Sequence, residues 1–247
     1  MSIFVITLTT ALNHIMNRDT LIQAIHERHS VRIYDETKQV PTDILDTLVS
    51  RIDEINRNHP ELNFLLVRDD PTAFGGWASY GAFKGVRNYI VIAGNSGKEI
   101  DLLCGMKGEE LVLFLQSMGL STCWVGLTFK KNKEVVKLRT GDKIRCLIAL
   151  GYAADSNIRK HKIKTLQQVS NITEESPLWF RAGVEMALLA PTAVNQQKFR
   201  FDLNVDGSVV AHAGRSIVGY TVIDLGIAIT HFLIGSGKDY SILHPEF

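Results

Sequence analysis

Three residues spaced two apart open the case for chemistry: Arg28, Ser30 and Arg32, in the run Glu27-Arg28-His29-Ser30-Val31-Arg32-Ile33-Tyr34. In an extended segment, side chains at that spacing project from one face. Two guanidinium groups and a hydroxyl are the donors a phosphate dianion needs, because arginine forms paired, charge-assisted bonds to neighbouring oxygens. The same spacing also suits an exposed strand edge with solvated arginines. A second candidate is Ala190-Pro191-Thr192-Ala193-Val194-Asn195-Gln196-Gln197-Lys198-Phe199, which reads locally as a helix stop followed by an asparagine turn. A third is the basic run from Arg159 to Lys164, with Lys160, Lys162 and Lys164 alternating, which reads locally as a solvated basic linker.

Other reactive types carry less. Cys104, Cys123 and Cys146 are widely spaced and form no Cys-x-x-Cys pair. Cys123 follows a glycine turn and reads as a small buried hydrophobe. The histidines, His212 and His231 among them, show no ligand spacing, so no metal site is expected. Gly94-Asn95-Ser96-Gly97-Lys98 lacks the full phosphate-loop pattern.

The elements that must position these residues follow from periodicity. Leu21, Ile22, Ala24 and Ile25 mark a helix reaching about Glu27, and Ser30 to Tyr34 is extended. Pro41 and Thr42 open a second helix. Asn63 to Val67 and Tyr89 to Ala93 are short apolar strands, separated by an irregular loop, Pro71 to Gly85, which suits a lid or pocket wall or a packed surface loop. Gly108 to Met118 is an apolar helix ended by Gly119. Strands follow at Thr122 to Leu127 and Ile144 to Gly151. Ala153 to Ser176 is polar and reads as a linker. Trp179 to Ala190 is a helix stopped by Pro191, and Phe199 to Val205 pairs with Val209 to His212 around Asp206-Gly207. Gly226 to Gly237 repeats the glycine-bounded spacing of Gly108 to Gly119, with Phe232-Leu233 in the places of Phe114-Leu115. That echo hints at two related halves.

The chain has 247 residues, 45% of them hydrophobic, and a formal net charge of +1, so no broad field of one sign favours nucleic acid or an anionic membrane. The apolar opening, Ile3 to Leu12, is too short to cross a bilayer and reads as an added strand, a dimer arm or a disordered extension. The cysteine pattern fits a reducing cytoplasm.

The arginine segment resembles the Arg-x-Ser-x-Arg opening of the nitroreductase and flavin reductase family, which grips the FMN phosphate. Gly108-Glu109-Glu110-Leu111 through Gly119-Leu120-Ser121-Thr122-Cys123-Trp124-Val125-Gly126 is similar to that family's central helix and its exit beside the flavin. Leu150-Gly151-Tyr152-Ala153 with the following basic run resembles a late strand end and its phosphate-facing cation. The family's Pro-Ser-x-x-Asn loop is missing after the second helix, where Asn56 to Asn63 stands, and its likeness appears instead at Pro191 to Gln197. In the family that loop and the phosphate grip come from different subunits of a dimer.

The resemblance implies an α+β, nitroreductase-like fold: a mixed, mainly antiparallel sheet surrounded by helices, in two fused half-units. It divides the chain into an extension at 1–16, a first half at 17–165 and a degenerate second half at 166–247. It implies one FMN, held through Arg28, His29, Ser30, Arg32, Gly119, Leu120, Ser121, Lys162, Lys164, Pro191, Thr192, Asn195 and Gln197. Thr192 and Asn195 would address the ring, and amides of the Gly119-Leu120-Ser121 turn would stabilise its reduced form. No protein side chain need act as nucleophile or base, since the flavin performs the chemistry. The expected activity is hydride transfer from NAD(P)H through flavin to a nitroaromatic, quinone or flavin. Alternatives are a flavin-binding or sensory protein with little turnover, a relic without cofactor, or another reaction of the superfamily. The expected assembly is a monomer acting as an internal pseudo-dimer, with a further homodimer possible, serving a small-molecule substrate.

Overall fold

The computed structural model describes residues 16–74, 83–127, 129, 136–154 and 161–247. The opening apolar run, the tip of the Pro71 to Gly85 loop and the start of the basic run fall outside these residues. Contacts divide the chain into two compact units, residues 28–159 and residues 1–27 with 160–247. The first helix, α1 (Arg18–Glu27), therefore belongs with the C-terminal part of the chain.

In the 28–159 unit, α2 (Thr42–Asn58) precedes β1 (Leu65–Val67) and β2 (Asn88–Gly94). The central helix α3 (Lys98–Ser117) leads to β3 (Ser121–Val125), and β4 (Lys143–Gly151) closes the sheet. The strand order is β1-β2-β4-β3, antiparallel throughout. One face of the sheet carries Tyr89, Val91, Ala93, Cys123, Val125, Leu147 and Ala149 into an apolar core with Val31, Tyr34, Phe74 and Phe83. The alternate residues Ile90, Ile92, Cys146, Ile148 and Leu150 are also buried. Burial on both faces explains why these strands read as continuous apolar runs.

The central helix begins ten residues before the Gly108 start expected from sequence. Its first turn is polar, with Glu99 and Asp101 where carboxylates favour the positive end of a helix. Gly105 and Gly108 sit mid-helix at a cost in propensity. Packing reverses that cost at Gly108, where a Cβ would stand 2.3 Å from the Trp124 ring.

The second unit adds to α1 a single-turn α4 (Leu166–Val169) inside the expected linker, then α5 (Leu178–Ala187), β5 (Phe199–Leu203), β6 (Val209–Ala213), α6 (Thr221–Ser236) and β7 (Leu243–Glu246). The expected hairpin is present as β5 and β6, turned at Gly207 with φ +85°. β7, which periodicity did not mark, pairs with β6 in parallel. Glycines let α5 and α6 approach closely: a Cβ on Gly183 would meet the Phe232 ring at 2.7 Å, and one on Gly235 would meet Ala182 O at 2.6 Å. Phe232 stacks on Phe201 of β5 at 4.6 Å, joining helix and sheet. The glycine-bounded helices end alike, with Gly119 and Gly237 at φ +77° and +67°. Among the described residues, no helix is long and apolar enough to cross a membrane.

Candidate functional site

The arginine segment is extended, as its spacing predicts. Ser30 forms a parallel bridge with Thr122, and the Val31 amide donates to Thr122 O at 3.0 Å. One step further, the Tyr34 amide donates to Lys84 O, and the Lys84 amide to Arg32 O, both at 2.9 Å. The first contacts seat the segment against the start of β3, and the second pair fastens it to Lys84. Arg28, His29, Ser30 and Arg32 are all half-buried. Arg28 Nη2 donates to Ser30 Oγ at 3.5 Å.

The three donors also converge electrostatically on Cys123. Burial pushes its thiol up, and the opposing influences are Arg32, a hydrogen bond with Ser30, and Arg28, in that order. Cys123 itself is 2% exposed, which matches the small buried hydrophobe expected from its neighbours. Arg32 likewise lowers Tyr34, whose hydroxyl is raised well above its ordinary value, first by burial and then by Cys123. Two half-buried cations and a hydroxyl thus act on one thiol, a donor set that fits a dianionic phosphate.

The Gly119-Leu120-Ser121 turn does something different from its expected part. Leu120 N donates to Leu115 O at 2.9 Å and Gly119 N to Gln116 O at 3.0 Å. This pair closes the end of α3 as a Schellman motif. Those two amides are engaged in capping, because a helix end leaves carbonyls that need donors. The turn's remaining polar offering is the Ser121 side chain, half-buried at the start of β3.

In the middle of α3 lies a polar layer that sequence reading missed. Glu109 is fully buried and accepts a hydrogen bond from Trp124 Nε1 at 2.8 Å. Lys107 and Glu110, also buried, pair at 2.9 Å. Burial raises the Glu110 carboxyl, and Lys107 and then Arg51 pull it back. The signal was a Lys-Gly-Glu-Glu cluster inside a helix too apolar to present it all to water. The same unit has a cleft of about 220 Å³ lined by Tyr34, Lys38, Arg68, Arg87, Asn88 and Tyr152 among others. Its cations are matched by carboxylates: Lys38 by Asp35, Arg68 by Asp46 and Arg87 by Asp69.

In the other unit, α5 stops before Pro191, and the chain makes a one-turn 3-10 segment, Ala193–Asn195. Thr192 Oγ1 accepts from the Gln197 amide at 3.0 Å. Asn195 Nδ2 and Gln197 Nε2 both donate to Lys162 O at 2.9 Å. Lys164, which the resemblance set at the cofactor, donates through Nζ to Gln197 O at 2.6 Å, and its amide donates to Gln197 Oε1 at 3.0 Å. Burial, then Lys198, lowers the Lys164 ammonium. The structure therefore gathers Pro191, Thr192, Asn195, Gln197, Lys162 and Lys164 into one hydrogen-bonded loop. Asp224, in the first turn of α6, completes it: Oδ1 accepts from the Ala193 amide at 2.9 Å, and Oδ2 from Gln196 Nε2 at 2.7 Å. Sequence reading passed over Asp224, whose signal was a lone carboxylate in a strongly apolar helix.

Comparison with known proteins bears on both units. The family described as "Putative TM nitroreductase" matches residues 20–236. Among solved structures, a protein of Thermotoga maritima described as a "putative nitroreductase" superposes with a TM-score of 0.61 at 23% identity, covering 87% of this chain and 82% of that one. A nitroreductase with bound FMN from Desulfitobacterium hafniense gives 0.50 at 14% identity, covering 64% of this chain and all of that one. Nothing among curated proteins matches. The mainly antiparallel α+β architecture and a family match running from α1 to the end of α6 agree, and this chain belongs to that nitroreductase family.

Proposed function

We propose that the chain is a flavin oxidoreductase that binds FMN and passes a hydride from NAD(P)H to a small acceptor such as a nitroaromatic, a quinone or free flavin. The observation that carries this reading is the convergence of Arg28, Ser30 and Arg32 beside Cys123, in a chain of the nitroreductase family. Family membership and the FMN named with the Desulfitobacterium relative support the choice of cofactor.

Arg28, Ser30 and Arg32, with His29 beside them, hold the phosphate by charge-assisted bonds. Thr192 and Asn195 supply ring-edge partners, since a hydroxyl and a carboxamide can donate and accept. Pro191 and Gln197 fix the loop that carries them, and Lys162 and Lys164 serve the cofactor through the loop they brace. With the Gly119 and Leu120 amides engaged in capping, Ser121 is the donor this turn offers. Bound FMN would supply the hydride chemistry, so no protein nucleophile or metal is required. A reducing cytoplasm suits the three buried cysteines, and a single chain acting as an internal pseudo-dimer suits the paired glycine-bounded helices.

The test is the visible spectrum of the purified protein, taken with anaerobic additions of NADH and NADPH. A flavin spectrum that bleaches with either nucleotide and returns with an acceptor supports the proposal. A yellow protein that does not bleach identifies a binding protein instead, and a colourless chain that cannot be reconstituted with FMN ends the flavin reading.

A further inference from the structure

The Pro191–Gln197 loop keeps a backbone its own residues disfavour. Val194, Asn195 and Gln197 have φ of 47°, 55° and 45°, a region where only glycine is at ease and a β-branched residue is a marked outlier. Val194 is 78% exposed, so burial of its side chain does not explain the strain. For Val194 and Gln197 above all this conformation is costly, and it survives only where surrounding bonds over-determine it.

Those bonds have unequal character. Thr192 and the Lys162 carbonyl are neutral acceptors drawn from the loop and its neighbour. Asp224, 2% exposed, is the lone carboxylate of a strongly apolar helix. Its two oxygens grip the loop at a backbone amide and at Gln196, and Gln196 Nε2 also reaches Gly219 O at 3.1 Å. The grip thus references the loop to the N-terminal end of α6. Burial pushes this carboxyl up to about 6, opposed by the Ala193 amide and Gln196. At neutral pH the folded protein therefore carries a buried charge that an isosteric apolar residue would avoid.

We propose that Asp224 is a positioning residue, holding the strained backbone of the Pro191–Gln197 loop in the place from which the loop meets a flavin ring. This rests on the flavin reading above. It acts through the Ala193 amide and Gln196, not by touching the cofactor.

The experiment uses the full chain, without and with FMN, as wild type, Asp224→Ala, Asp224→Asn, Asn195→Ala and the Asp224→Ala/Asn195→Ala double variant. Amide hydrogen exchange reads the loop, and quenching of flavin fluorescence reads FMN affinity. Asp224→Ala is expected to speed exchange at Ala193 and weaken FMN binding by about tenfold, the scale of one lost hydrogen bond to a charged group, while protection within α6 persists. Asp224→Asn, which retains an acceptor for Ala193, is expected to keep that protection and recover part of the affinity. The double variant should bind no worse than Asn195→Ala alone, because both changes remove one coupled contribution. Unchanged exchange at Ala193, wild-type affinity in Asp224→Ala, or fully additive losses in the double variant would each overturn the role. If Asp224→Ala does not fold, wild-type exchange and wild-type affinity in Asp224→Asn together with additivity in an Asp224→Asn/Asn195→Ala pair overturn it. Wild-type chain that takes up no FMN is a separate result: it removes the flavin reading itself, and the wild-type arm tells the two failures apart.

Discussion

At the scale of single residues, the proposed phosphate grip and the loop make opposite demands on charge. Arg28 and Arg32 are half-buried cations whose fields meet at one thiol, and the proposal gives them one anion to share. Replacing both with alanine should weaken FMN retention by roughly 100-fold, from two lost charge-assisted interactions. The thermal midpoint of the apoprotein should stay within a few degrees; retention equal to wild type in a desalting assay removes them from the site. Asp224 is an anion whose pKa is raised in the fold to about 6 by burial. A raised pKa means its contribution to stability is full below the unfolded aspartate value and is lost as pH rises through about 6. Asp224→Asn should therefore gain stability relative to wild type as pH climbs from 4 to 7, by up to about 3 kcal/mol at the plateau. Denaturant titrations across that range check it, and a gain that shrinks with rising pH contradicts the sign.

Elements decide what those residues can face. The central helix α3 is buried almost all round, and its glycine at 108 exists to admit the Trp124 ring, which in turn donates to buried Glu109. Gly108→Ala would raise helix propensity by about 1 kcal/mol yet force a clash into a packed layer, a net loss of roughly 1–3 kcal/mol. A lowered thermal midpoint, with Trp124 fluorescence altered, is the expected result; a stabilised variant shows that the ring can move aside. The end of this helix was legible as Gly119, because a left-handed cap needs glycine and leaves a sequence mark. Its beginning was not, since the polar first turn from Lys98 to Asp101 hides the apolar face that Leu102 and Met106 continue. The cap also explains why the Gly119 and Leu120 amides are unavailable to a ligand: glycine there serves the helix first.

For the whole molecule, order along the chain and membership of a compact unit differ. α1 precedes the 28–159 unit in sequence but docks in the other unit, where Arg18 donates to Ile234 O at 2.7 Å and to Gly235 O at 2.6 Å. A cation at those last carbonyls of α6 also complements the helix dipole. Arg18→Ala should lower the stability of that unit by about 1–2 kcal/mol, seen as faster amide exchange in α1 and the end of α6, with exchange in β2 and β4 unchanged. Loss of protection in β2 and β4 as well would mean that the two units unfold together. FMN, if bound as proposed, should raise the thermal midpoint, by an amount equivalent to about 2.7 kcal/mol at a hundredfold excess over Kd.

By itself, the sequence determined what local pattern can encode: the apolar strands, the hairpin at Gly207, the helix-ending glycines, the extended arginine segment and the family. It did so because alternation, caps and positive φ are imposed by backbone sterics within a few residues. Only the tertiary structure decided which polar groups remain available. Lys164 and Asn195 turn inward to the loop, and Asp224 reaches a loop about thirty residues away. Those choices depend on partners distant in the chain, and a buried donor or acceptor takes whichever partner the fold brings to it.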